Sequence, residues 1–508
     1  MRRDRITLIY PPWVLSERNY RGSLQNCLPP LGLLSIASHL EANGFEVRVI
    51  DMNVERLNGE GLRARLAASP PDLIGISVLT AMAVAANRIA RVVKDAAPGC
   101  LVVCGGVHAE VLPQEMLRNS AIDAVVIGDG EGPMLRFAQG AEPREVAGAV
   151  WRGDGRLERN PPGAVEMDLD RYPMPAYHLV PMERYFPAVG TYRNLPAINM
   201  LMTRGCPGKC TFCNSAETVL RTRGAAKVVE EIAHLRERFG IRQVQFYDDT
   251  FTVSRANVME FCRLMAERDL GVSWCAYVRA DCLNDEMASA MRKAGCHQVL
   301  IGVETGDPGI ARNIGKPIPL DRVEACVARA RRHGLEVRAS FILGNAGETR
   351  ETMERTLDFA IRLDPDVAQF NISTPYPGTR LFRWAKSGGR LRHEDWTRYD
   401  LSGFLVDLPD LTEEEVFAFE RHAARRFYLR PRAVLRHLRR LTHPRQVRDL
   451  LFGFLVFVFG MRNRVSRTHW AAWLGDRKED FFDLPSFAEG GEPPLSFEAR
   501  RPVVSGAV

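Results

Sequence analysis

The first 140 residues alternate short runs of apolar, β-favouring residues with longer segments in which apolar positions recur at helical spacing. The apolar runs predict strands at 6–10, 47–50, 73–77, 101–104 and 124–127. The periodic segments predict helices at 31–43, 83–96 and 113–118. This alternation predicts an α/β domain with a doubly wound parallel sheet over residues 1–140. Ligands of such sheets bind beyond the carboxyl ends of the strands, so the residues that follow each strand are the informative ones.

A second alternation of strands and helices occupies residues 197–400. Strands are predicted at 198–203, 244–247, 274–278, 298–303, 337–343 and 368–372. Helices are predicted near 226–239, 255–268, 284–294, 320–333 and 350–363. Six βα units predict an incomplete parallel barrel whose strand ends face one reaction chamber.

The remaining segments divide the chain further. Residues 141–196 are rich in proline and predict an irregular connector with one hairpin near 153–155. Residues 401–483 have a helical pattern, in which Thr412 and Glu415 predict a capping box. Residues 484–508 are predicted to form a disordered tail.

Composition places the chain among ordinary globular proteins with several domains. Its 508 residues are 46% hydrophobic and 26% charged, which excludes a single small binding module and a disordered, fibrous or coiled-coil chain. The net charge of +6 is small for this length, so no nucleic-acid partner is predicted. The first residues lead directly into a predicted strand rather than a signal peptide, so a cytoplasmic protein is expected.

Three of the eleven cysteines form a C-x3-C-x2-C cluster, with Phe212 directly before the last one. Cys206, Cys210 and Cys213 could each bind one iron of a 4Fe–4S cube and leave the fourth iron without a protein ligand. That iron could chelate S-adenosylmethionine (SAM), whose reductive cleavage releases a 5′-deoxyadenosyl radical. A structural zinc site would need a fourth Cys or His at similar spacing, and none follows closely. The later cysteines are predicted to be core residues: Cys262, Cys275, Cys282, Cys296 and Cys326.

Small and acidic residues follow the predicted strands of the first domain. The fingerprint G-x-G-x-x-G does not follow the first strand, which disfavours a nicotinamide or flavin dinucleotide site. Together with the cysteine cluster, these loops resemble the cobalamin-binding class of radical SAM enzymes, although Asp129 replaces the first Glu of the usual G-E-G-E. The resemblance implies a cobalamin site formed by Ser77, Thr80, Gly105, Gly106, His108, Gly128, Asp129, Gly130 and Glu131.

The resemblance further implies that the nucleotide tail of cobalamin inserts into the sheet. The D-x-H-x-x-G motif, which supplies the lower axial His of cobalamin mutases and methionine synthase, is absent from the sequence. His108 is the nearby candidate for a cobalt ligand, and a loop histidine hydrogen-bonded to the backbone is the favoured interpretation. A doubly wound sheet that has lost its ligand site is the alternative for the whole domain.

Loops after the predicted barrel strands also resemble those of the family. The resemblance implies that SAM contacts Phe212, Tyr247, Asp248, Asp249, Glu304, Gly344 and Gly347. The 246–251 loop would receive the methionine end of SAM, Glu304 would reach the ribose, and the two glycines would pack beneath the adenine. The alternative for residues 248–250 is an ordinary helix N-cap.

The C-terminal region combines positive charge with an apolar run. Residues 421–448 contain ten arginines and no acid, and residues 450–459 are apolar but about half the ~20 residues that a membrane-spanning helix needs. A basic segment beside an apolar run could contact an anionic membrane surface through 421–459, at the inner face of the membrane. A helical cap packed on the barrel is the favoured alternative.

The resemblance covers about residues 5–440 and implies a methyltransferase that uses a 4Fe–4S cluster, SAM and cobalamin. Such an enzyme would methylate an unactivated carbon or phosphorus centre of a small-molecule substrate, such as a lipid, a tetrapyrrole or a natural-product intermediate. An electron donor such as flavodoxin or ferredoxin would reduce the cluster. The alternatives are an oxidative cyclase or rearrangement enzyme without methyl transfer, and a non-catalytic cobalamin or SAM sensor.

Overall fold

A computed structural model describes residues 1–13, 27–153, 156–188, 190–438, 447 and 482–484 of the chain. Two separate sheets, each dominated by parallel strands, form the two halves of the molecule. The predicted fold class is confirmed: a doubly wound α/β domain precedes a six-stranded parallel partial barrel, and helices follow. The tail predicted at 484–508 lies almost entirely outside the described residues.

The first sheet is built from β1 Arg5–Tyr10, β2 Glu46–Asp51, β3 Leu73–Ser77, β4 Leu101–Gly105, β5 Ala124–Val126, β6 Ala149–Arg152 and β7 Leu157–Arg159. The strand order is β2-β1-β3-β4-β5-β6-β7, and β1 to β5 run parallel. The hairpin predicted near 153–155 is formed by β6 and β7, which pair antiparallel and extend the edge next to β5. The sheet therefore continues into the segment predicted to be a connector.

Helices cover both faces of this sheet. They are α1 Leu31–Ala42, α2 Met52–Glu55, α3 Gly59–Ala68, α4 Ala83–Ala96, α5 Val107–Val111, α6 Pro113–Met116 and α7 Glu131–Ala138. Because successive strand residues point to opposite faces, Leu8 packs with α1 and α7 while Ile9 packs with α3 and α4. Two apolar cores thus hold the sheet between them, as the doubly wound prediction requires.

The second sheet contains the six strands of the partial barrel. They are β8 Ala197–Met200, β11 Gln243–Phe246, β12 Ser273–Val278, β13 Cys296–Glu304, β14 Glu336–Leu343 and β15 Val367–Ile372. Every pair is parallel, in the order β15-β14-β13-β12-β11-β8. Two further short strands, β9 Thr203–Arg204 and β10 Arg221–Thr222, form an antiparallel ribbon after β8.

The barrel helices are α8 Ala225–Phe239, α9 Arg255–Arg268, α10 Asp285–Lys293, α11 Pro308–Asn313, α12 Leu320–Arg332, α13 Arg350–Leu363 and α14 Arg380–Ser387. The sequence predicted five of these helices, and it missed the short helices α11 and α14. Cys262, Cys296 and Cys326 are buried in the apolar core that these helices share with the sheet. Cys275 is also buried, whereas Cys282 is half-buried.

The C-terminal region begins with α15 Glu413–Tyr428 and α16 Pro431–Leu438. The predicted capping box is present, because Thr412 N donates to Glu415 Oε2 at 2.8 Å and Glu415 N donates to Thr412 Oγ1 at 3.2 Å. Arg430 and Arg436 of the basic segment donate to Asp364 at 2.7 and 2.5 Å. The described part of this segment is therefore bound to the barrel.

No helix within the described residues is long and apolar enough to cross a membrane. The apolar run 450–459 and most of the segment 421–459 beyond α16 lie outside the described residues.

Candidate active site between two sheets

The cysteine loop, residues 205–220, connects β9 to β10 and carries Cys206, Cys210 and Cys213. All three thiols are free and half-buried. Gly205 starts the loop with a φ of 90°, and a Cβ at this position would lie 2.1 Å from the Val219 carbonyl oxygen. Only glycine lets the two ends of the loop approach so closely. The ribbon thereby presents three thiols on one short segment.

Cys206 has hydrogen-bonding groups around its sulfur and its backbone. Its Sγ lies 3.2 Å from Thr250 Oγ1 and 3.4 Å from the Gly208 amide nitrogen, which donates to it. The Cys206 amide donates to Thr218 Oγ1 at 2.9 Å. The Gly208 amide is therefore a donor that would stabilise a thiolate, while the Thr250 hydroxyl donates to the Asp249 carbonyl oxygen at 2.6 Å.

Asp248 and Asp249, after β11, hold the start of the cysteine loop. Asp248 is buried and accepts hydrogen bonds from the Met202 amide at 3.0 Å and from Thr203 Oγ1 at 2.7 Å. Burial raises the pKa of Asp248 to about 7. Asp249 Oδ2 accepts from the Gly205 amide at 3.1 Å. Asp248 and Asp249, both predicted to contact SAM, thus bind the backbone that leads into the cysteines. The same hydrogen bonds explain why the strand predicted at 198–203 is split into β8 and β9.

Glu304, at the end of β13, binds a lysine beside the cysteine loop. Its Oε1 lies 2.8 Å from Lys316 Nζ, and its Oε2 accepts from Ser340 Oγ at 3.3 Å. Glu304 has a φ of 68° and lies at a break in the register between β13 and β14, which turns the residue out of the strand. Burial raises the pKa of the Cys210 thiol, and the charge of Lys316 opposes that rise. The Glu304 carboxylate adds to the rise, but its effect is smaller than that of Lys316, so the pair acts on Cys210 mainly through the cation.

Gly344 and Gly347 lie in the loop between β14 and α13, both with positive φ. The loop is closed by Glu348, whose Oε2 accepts from the Asn345 amide at 2.7 Å. The other oxygen, Oε1, has no hydrogen-bond partner among the described residues, and burial raises the Glu348 pKa to about 8. Glu348 was not among the predicted site residues, although it directly follows Gly347.

Phe212 and Tyr247 are half-buried. Tyr247 follows β11, and its ring centroid lies 5.7 Å from that of Tyr277 at the end of β12. Its hydroxyl donates to Gln245 Oε1 at 3.3 Å. Phe212 immediately precedes Cys213 in the cysteine loop, as the sequence requires.

A cavity of about 330 Å3 lies at the carboxyl edge of the first sheet, between that sheet, the ribbon and residues 169–177. Most of the predicted cobalamin residues line it, namely Ser77, Gly105, Gly106, Gly128, Asp129, Gly130 and Glu131. A Cβ at Gly105 or Gly128 would meet no atom within 4 Å, so both backbones are open to the cavity. These loops are therefore positioned to contact a ligand through main-chain atoms.

The cavity also extends between the sheet and its covering helices. Gly75 lies in the middle of β3, where a Cβ would come within 2.8 Å of Leu8 Cδ2 and 3.0 Å of Met134 Cε. Both of these apolar side chains line the cavity, together with Leu33 of α1. The inner part of the cavity, which we call the apolar slot, is thus lined by apolar side chains of the first domain that pack closely on Gly75.

Two predicted cobalamin residues do not line this cavity. Thr80 is buried in the single 3-10 turn, Thr80–Met82, that leads into α4. His108 is completely buried in α5, with its ring centroid 5.2 Å from that of Trp396 and its Nε2 3.9 Å from Glu115 Oε1. The structure therefore places His108 at a contact between the first domain and the residues after the barrel, on the opposite face of the sheet from α1.

Asp129 and Glu131 line the cavity and also bind the ribbon. Glu131 Oε1 accepts from Arg204 Nη2 at 2.8 Å and from Ser35 Oγ at 2.7 Å. Asp129 accepts from Arg221 and lies 3.4 Å from Arg204 Nη1. Burial raises the pKa of Asp129, but Arg221 and Arg204 outweigh that effect and hold the pKa below its usual value. We call Arg204, Arg221, Asp129 and Glu131 the latch, because they join the first sheet to both strands that frame the cysteine loop.

Comparison with protein families gives two matches. The family described as B12 binding domain matches residues 18–138, and the radical SAM superfamily matches residues 200–360. An uncharacterized methyltransferase of Pyrococcus horikoshii is 33% identical over 442 residues, which cover 85% of this chain and 94% of that protein. The chain is a cobalamin-binding radical SAM protein. Its family assigns it a 4Fe–4S cluster, SAM and cobalamin as cofactors.

Two further similarities extend the comparison. The anaerobic magnesium-protoporphyrin IX monomethyl ester cyclase of Rubrivivax gelatinosus is 28% identical, over 84% of this chain and 78% of the cyclase. The radical SAM methyltransferase TsrM from Kitasatospora setae, solved with cobalamin and a 4Fe–4S cluster, superposes with a TM-score of 0.63 at 21% identity. That superposition covers 77% of this radical SAM protein and 76% of TsrM, and it shows a shared fold.

The cysteine loop of this radical SAM protein fits a cluster with one open iron. Three half-buried thiols lie on one loop, with a hydrogen-bond donor at Cys206 and the ion pair of Lys316 and Glu304 close to Cys210. Across the described residues, no three His, Cys, Asp or Glu side chains converge tightly enough to chelate one metal ion. The thiolates of a cube each bind a different iron, so its ligands do not need to converge on one point.

The first domain likewise fits cobalamin. The apolar lining of the slot suits a flat, largely apolar group such as the nucleotide base of the tail, for which the side chains of Leu8 and Met134 beside Gly75 would need to move apart. The open glycine backbones at Gly105 and Gly128 suit a bulky ring system at the sheet edge. The sequence missed a buried cluster in the same cavity wall, where Glu231 accepts from Tyr177 at 2.7 Å and from Arg223 at 2.5 Å.

Proposed function

We propose that the chain is a cobalamin-dependent methyltransferase that acts on an unactivated carbon or phosphorus centre of a small molecule. The observation that carries the proposal is the latch, through which the residues flanking the cysteines bind the loop that lines the cavity of the first domain. A methyltransferase of this class needs the radical source and the methyl carrier to face one substrate. In this chain, ion pairs fix the relative position of those two sites.

Bound together, the three cofactors supply a 5′-deoxyadenosyl radical for hydrogen abstraction and a methyl group for transfer. The chain's own residues position and shield this chemistry. Cys206, Cys210 and Cys213 would ligate the cluster, and Asp248 and Asp249 hold the loop that carries them. The apolar slot would hold the cobalamin tail, while Gly105 and Gly128 would support the ring.

Phe212, Tyr247, Glu304, Gly344 and Gly347 are proposed to surround SAM at the carboxyl ends of the barrel strands. Glu304 is held in place by Lys316 and Ser340, so its carboxylate is fixed at the level of the cysteine loop. Asp248 supports SAM indirectly through the loop backbone. Tyr247 and Tyr277 would supply an apolar wall that limits the access of water to the radical.

An oxidative cyclase is the second candidate, because the Rubrivivax protein is similar over most of both chains. The identity of 33% to a protein named as a methyltransferase, over 94% of its length, favours methyl transfer. The two activities differ in what happens to the methyl group of SAM. A methyltransferase must move that group onto cobalamin, whereas the cyclase alternative transfers no methyl group.

The deciding experiment uses the full chain, reconstituted under anaerobic conditions with iron, sulfide and cobalamin, then reduced and given SAM with a deuterated methyl group. We expect one labelled methyl group on each bound cobalamin, with an equal amount of S-adenosylhomocysteine, before any substrate is added. Formation of 5′-deoxyadenosine without S-adenosylhomocysteine would favour the cyclase. A sensor would form neither product.

We also propose the setting in which the chain works. A cytoplasmic location would keep its three site thiols reduced, and a flavodoxin or ferredoxin would supply single electrons to the cluster. The ion pairs of Arg430 and Arg436 with Asp364 support a cap on the barrel for the described part of the basic segment, rather than contact with the membrane. Sedimentation with anionic vesicles would test the remaining part of 421–459.

A further inference from the structure

The open face of the barrel carries polar residues on β14. Val337, Ala339 and Phe341 are buried against the outer helices, while the residues between them alternate to the opposite face. Arg338 and Ser340 are half-buried on that inner face. A radical SAM barrel encloses its reaction at the inner face of the sheet. A charged side chain that is half-buried there is unfavourable unless it binds a partner.

Arg338 makes one hydrogen bond to a described residue, from its Nη2 to Gln369 Oε1 on β15 at 2.8 Å. No carboxylate within the described ranges lies at ion-pair distance from its guanidinium. Glu336, two residues earlier on the same face, instead pairs with Arg193 at 2.5 Å and accepts from Gln298 at 3.3 Å. A half-buried guanidinium with several donors left over is an anion-binding group.

Aromatic rings line the same space. Tyr277 of β12 is 36% exposed, although it lies within the sheet, and its ring contacts that of Tyr247. Burial raises the pKa of the Tyr277 hydroxyl and of the Cys275 thiol, and the charge of Arg338 opposes both rises. The Arg338 guanidinium therefore lies close enough to β12 to act on both groups, while its hydrogen bond is to Gln369 on β15. Among the described residues, this part of the barrel thus brings the Arg338 guanidinium close to the rings of Tyr247 and Tyr277.

The position of Arg338 relative to the cofactors follows from the strand. Ser340 lies two residues further along the same face, about 7 Å from Arg338 at ~3.3 Å per residue. Ser340 donates to Glu304, which binds Lys316 beside the cysteine loop. Arg338 thus lies about two residues deeper in the barrel than the proposed SAM level.

We propose that Arg338 anchors an anionic group of the substrate, a carboxylate or a phosphate, inside the barrel. The inference rests on the proposed function and names its substrate class. A guanidinium binds carboxylate and phosphate oxygens through paired N–H donors, while Tyr247 and Tyr277 would contact a flat or apolar body. Among the substrate types left open by the sequence, acidic tetrapyrroles and acidic or phosphorylated intermediates fit, whereas a neutral lipid does not.

The test is chemical labelling of arginine in the full reconstituted chain with phenylglyoxal, quantified by peptide mass spectrometry. We expect Arg338 to react severalfold faster than Arg193, whose guanidinium is paired with Glu336. Millimolar benzoate should slow the labelling of Arg338 severalfold in the SAM-loaded protein, while benzyl alcohol, which has the same ring without the charge, should not. Slow labelling of Arg338, or equal effects of the two compounds, would overturn the proposal.

SAM also carries a carboxylate, so a second arm separates the two sources of anion. Labelling with SAM alone should leave Arg338 reactive, and Arg338→Gln should bind SAM with unchanged affinity. Complete protection by SAM, or severalfold weaker SAM binding by the variant, would assign Arg338 to the cofactor and overturn its assignment to substrate. Neither arm of this experiment requires methyl transfer. The proposed function is tested separately, by the transfer of the deuterated methyl group.

Discussion

Arg204 and Glu131 lie 73 residues apart in the chain, yet Arg204 Nη2 is 2.8 Å from Glu131 Oε1. Arg204 immediately precedes the cysteine loop, and Glu131 opens α7 beside the cavity of the first domain. This contact is one of the ion pairs of the latch, on which the alignment of the two cofactor sites depends. The first prediction concerns what happens when the pair is broken.

We expect Glu131→Gln to lower the free energy of unfolding by about 2–3 kcal/mol, because it leaves the Arg204 charge partly uncompensated in a buried site. Asp129, 3.4 Å from Arg204, keeps the loss below that of an isolated buried pair. The same variant should retain less cobalamin, since the cavity wall loses its support. Thermal unfolding and the visible spectrum of bound cobalamin measure the two effects.

Glu142→Gln is the matched control for this variant. Glu142 also pairs with an arginine, Arg3, at 3.2 Å, but its side chain is 53% exposed. Exposed ion pairs contribute little to stability, so this variant should unfold and bind cobalamin like the parent. If both variants behaved alike, the latch would have no special role.

The second prediction concerns pH and the buried carboxyl of Glu348, whose pKa burial raises to about 8. The folded protein holds this proton at pH values where the unfolded chain, with an ordinary pKa near 4.3, has released it. Stability from this group is therefore full below about pH 4 and falls as pH rises towards 8. We expect Glu348→Gln, which cannot ionise, to lose less stability than the parent between pH 5 and 8.

Chemical denaturation at several pH values measures this difference. Glu354→Gln serves as the control, because Glu354 lies on the exposed face of α13 and pairs with Arg350 at 3.0 Å. The control should keep the pH slope of the parent. An unchanged slope in Glu348→Gln would show that Glu348 is ionised in the folded protein.

The third prediction concerns the reduction potential of the cluster and Thr250, whose hydroxyl lies 3.2 Å from Cys206 Sγ and donates to the Asp249 carbonyl oxygen at 2.6 Å. A Cys206 thiolate bound to the cluster has no proton to donate, so we expect the hydroxyl to turn and donate to the sulfur. Hydrogen bonds to cluster sulfurs raise the reduction potential. A hydrogen bond that is stronger by about 1 kcal/mol in the reduced cluster than in the oxidised one corresponds to about 40 mV for one electron. Thr250→Val should therefore have a potential lower by about 40 mV in a titration followed by electron paramagnetic resonance. Thr250→Ser, which keeps the hydroxyl, should match the parent, and a Val variant at the parent potential would exclude this contact as a cause.

The fourth prediction separates the cluster ligands from the other cysteines. Cys206→Ala, Cys210→Ala and Cys213→Ala should each lose the reconstituted cluster and SAM cleavage while they still bind cobalamin. Cys282→Ser should keep its full iron content, because Cys282 is a half-buried residue outside the cysteine loop. Iron and sulfide assays after reconstitution give the answer. Loss of iron from Cys282→Ser would mean that a second metal site exists.

The parallel strands of both domains and the long helices between them could be predicted from the sequence where the apolar period is undisturbed, whereas the helices α3 Gly59–Ala68 and α7 Glu131–Ala138 of the first domain were missed. The strands at 73–77 and 124–127 are examples, found as Leu73–Ser77 and Ala124–Val126. The ribbon escaped prediction because its two-residue strands are too short to carry a period. The strand breaks before Thr203 because the Thr203 amide donates its hydrogen bond to Asp248, 45 residues further along the chain. That amide would otherwise be available to pair with a neighbouring strand.

The candidate site, like the fold, could be predicted only where it depends on local sequence. Glycine and acidic residues after the strands predicted the cavity, since strand ends of a parallel sheet share one edge. The sequence could not predict that Asp129 and Glu131 bind arginines from the other domain, because such contacts depend on tertiary packing. The position of His108 could not be predicted either, because it also depends on tertiary packing. Its ring packs against that of Trp396, which lies far away in the sequence.

The latch also bears on how freely these domains can be exchanged. Arg204 and Arg221 come from the barrel, while Asp129 and Glu131 come from the domain in front of it. A chimera that joined this barrel to a foreign cobalamin domain could fold both parts and still hold them in the wrong relation. Such a graft would need to carry its acidic loop together with the two arginines as one matched unit.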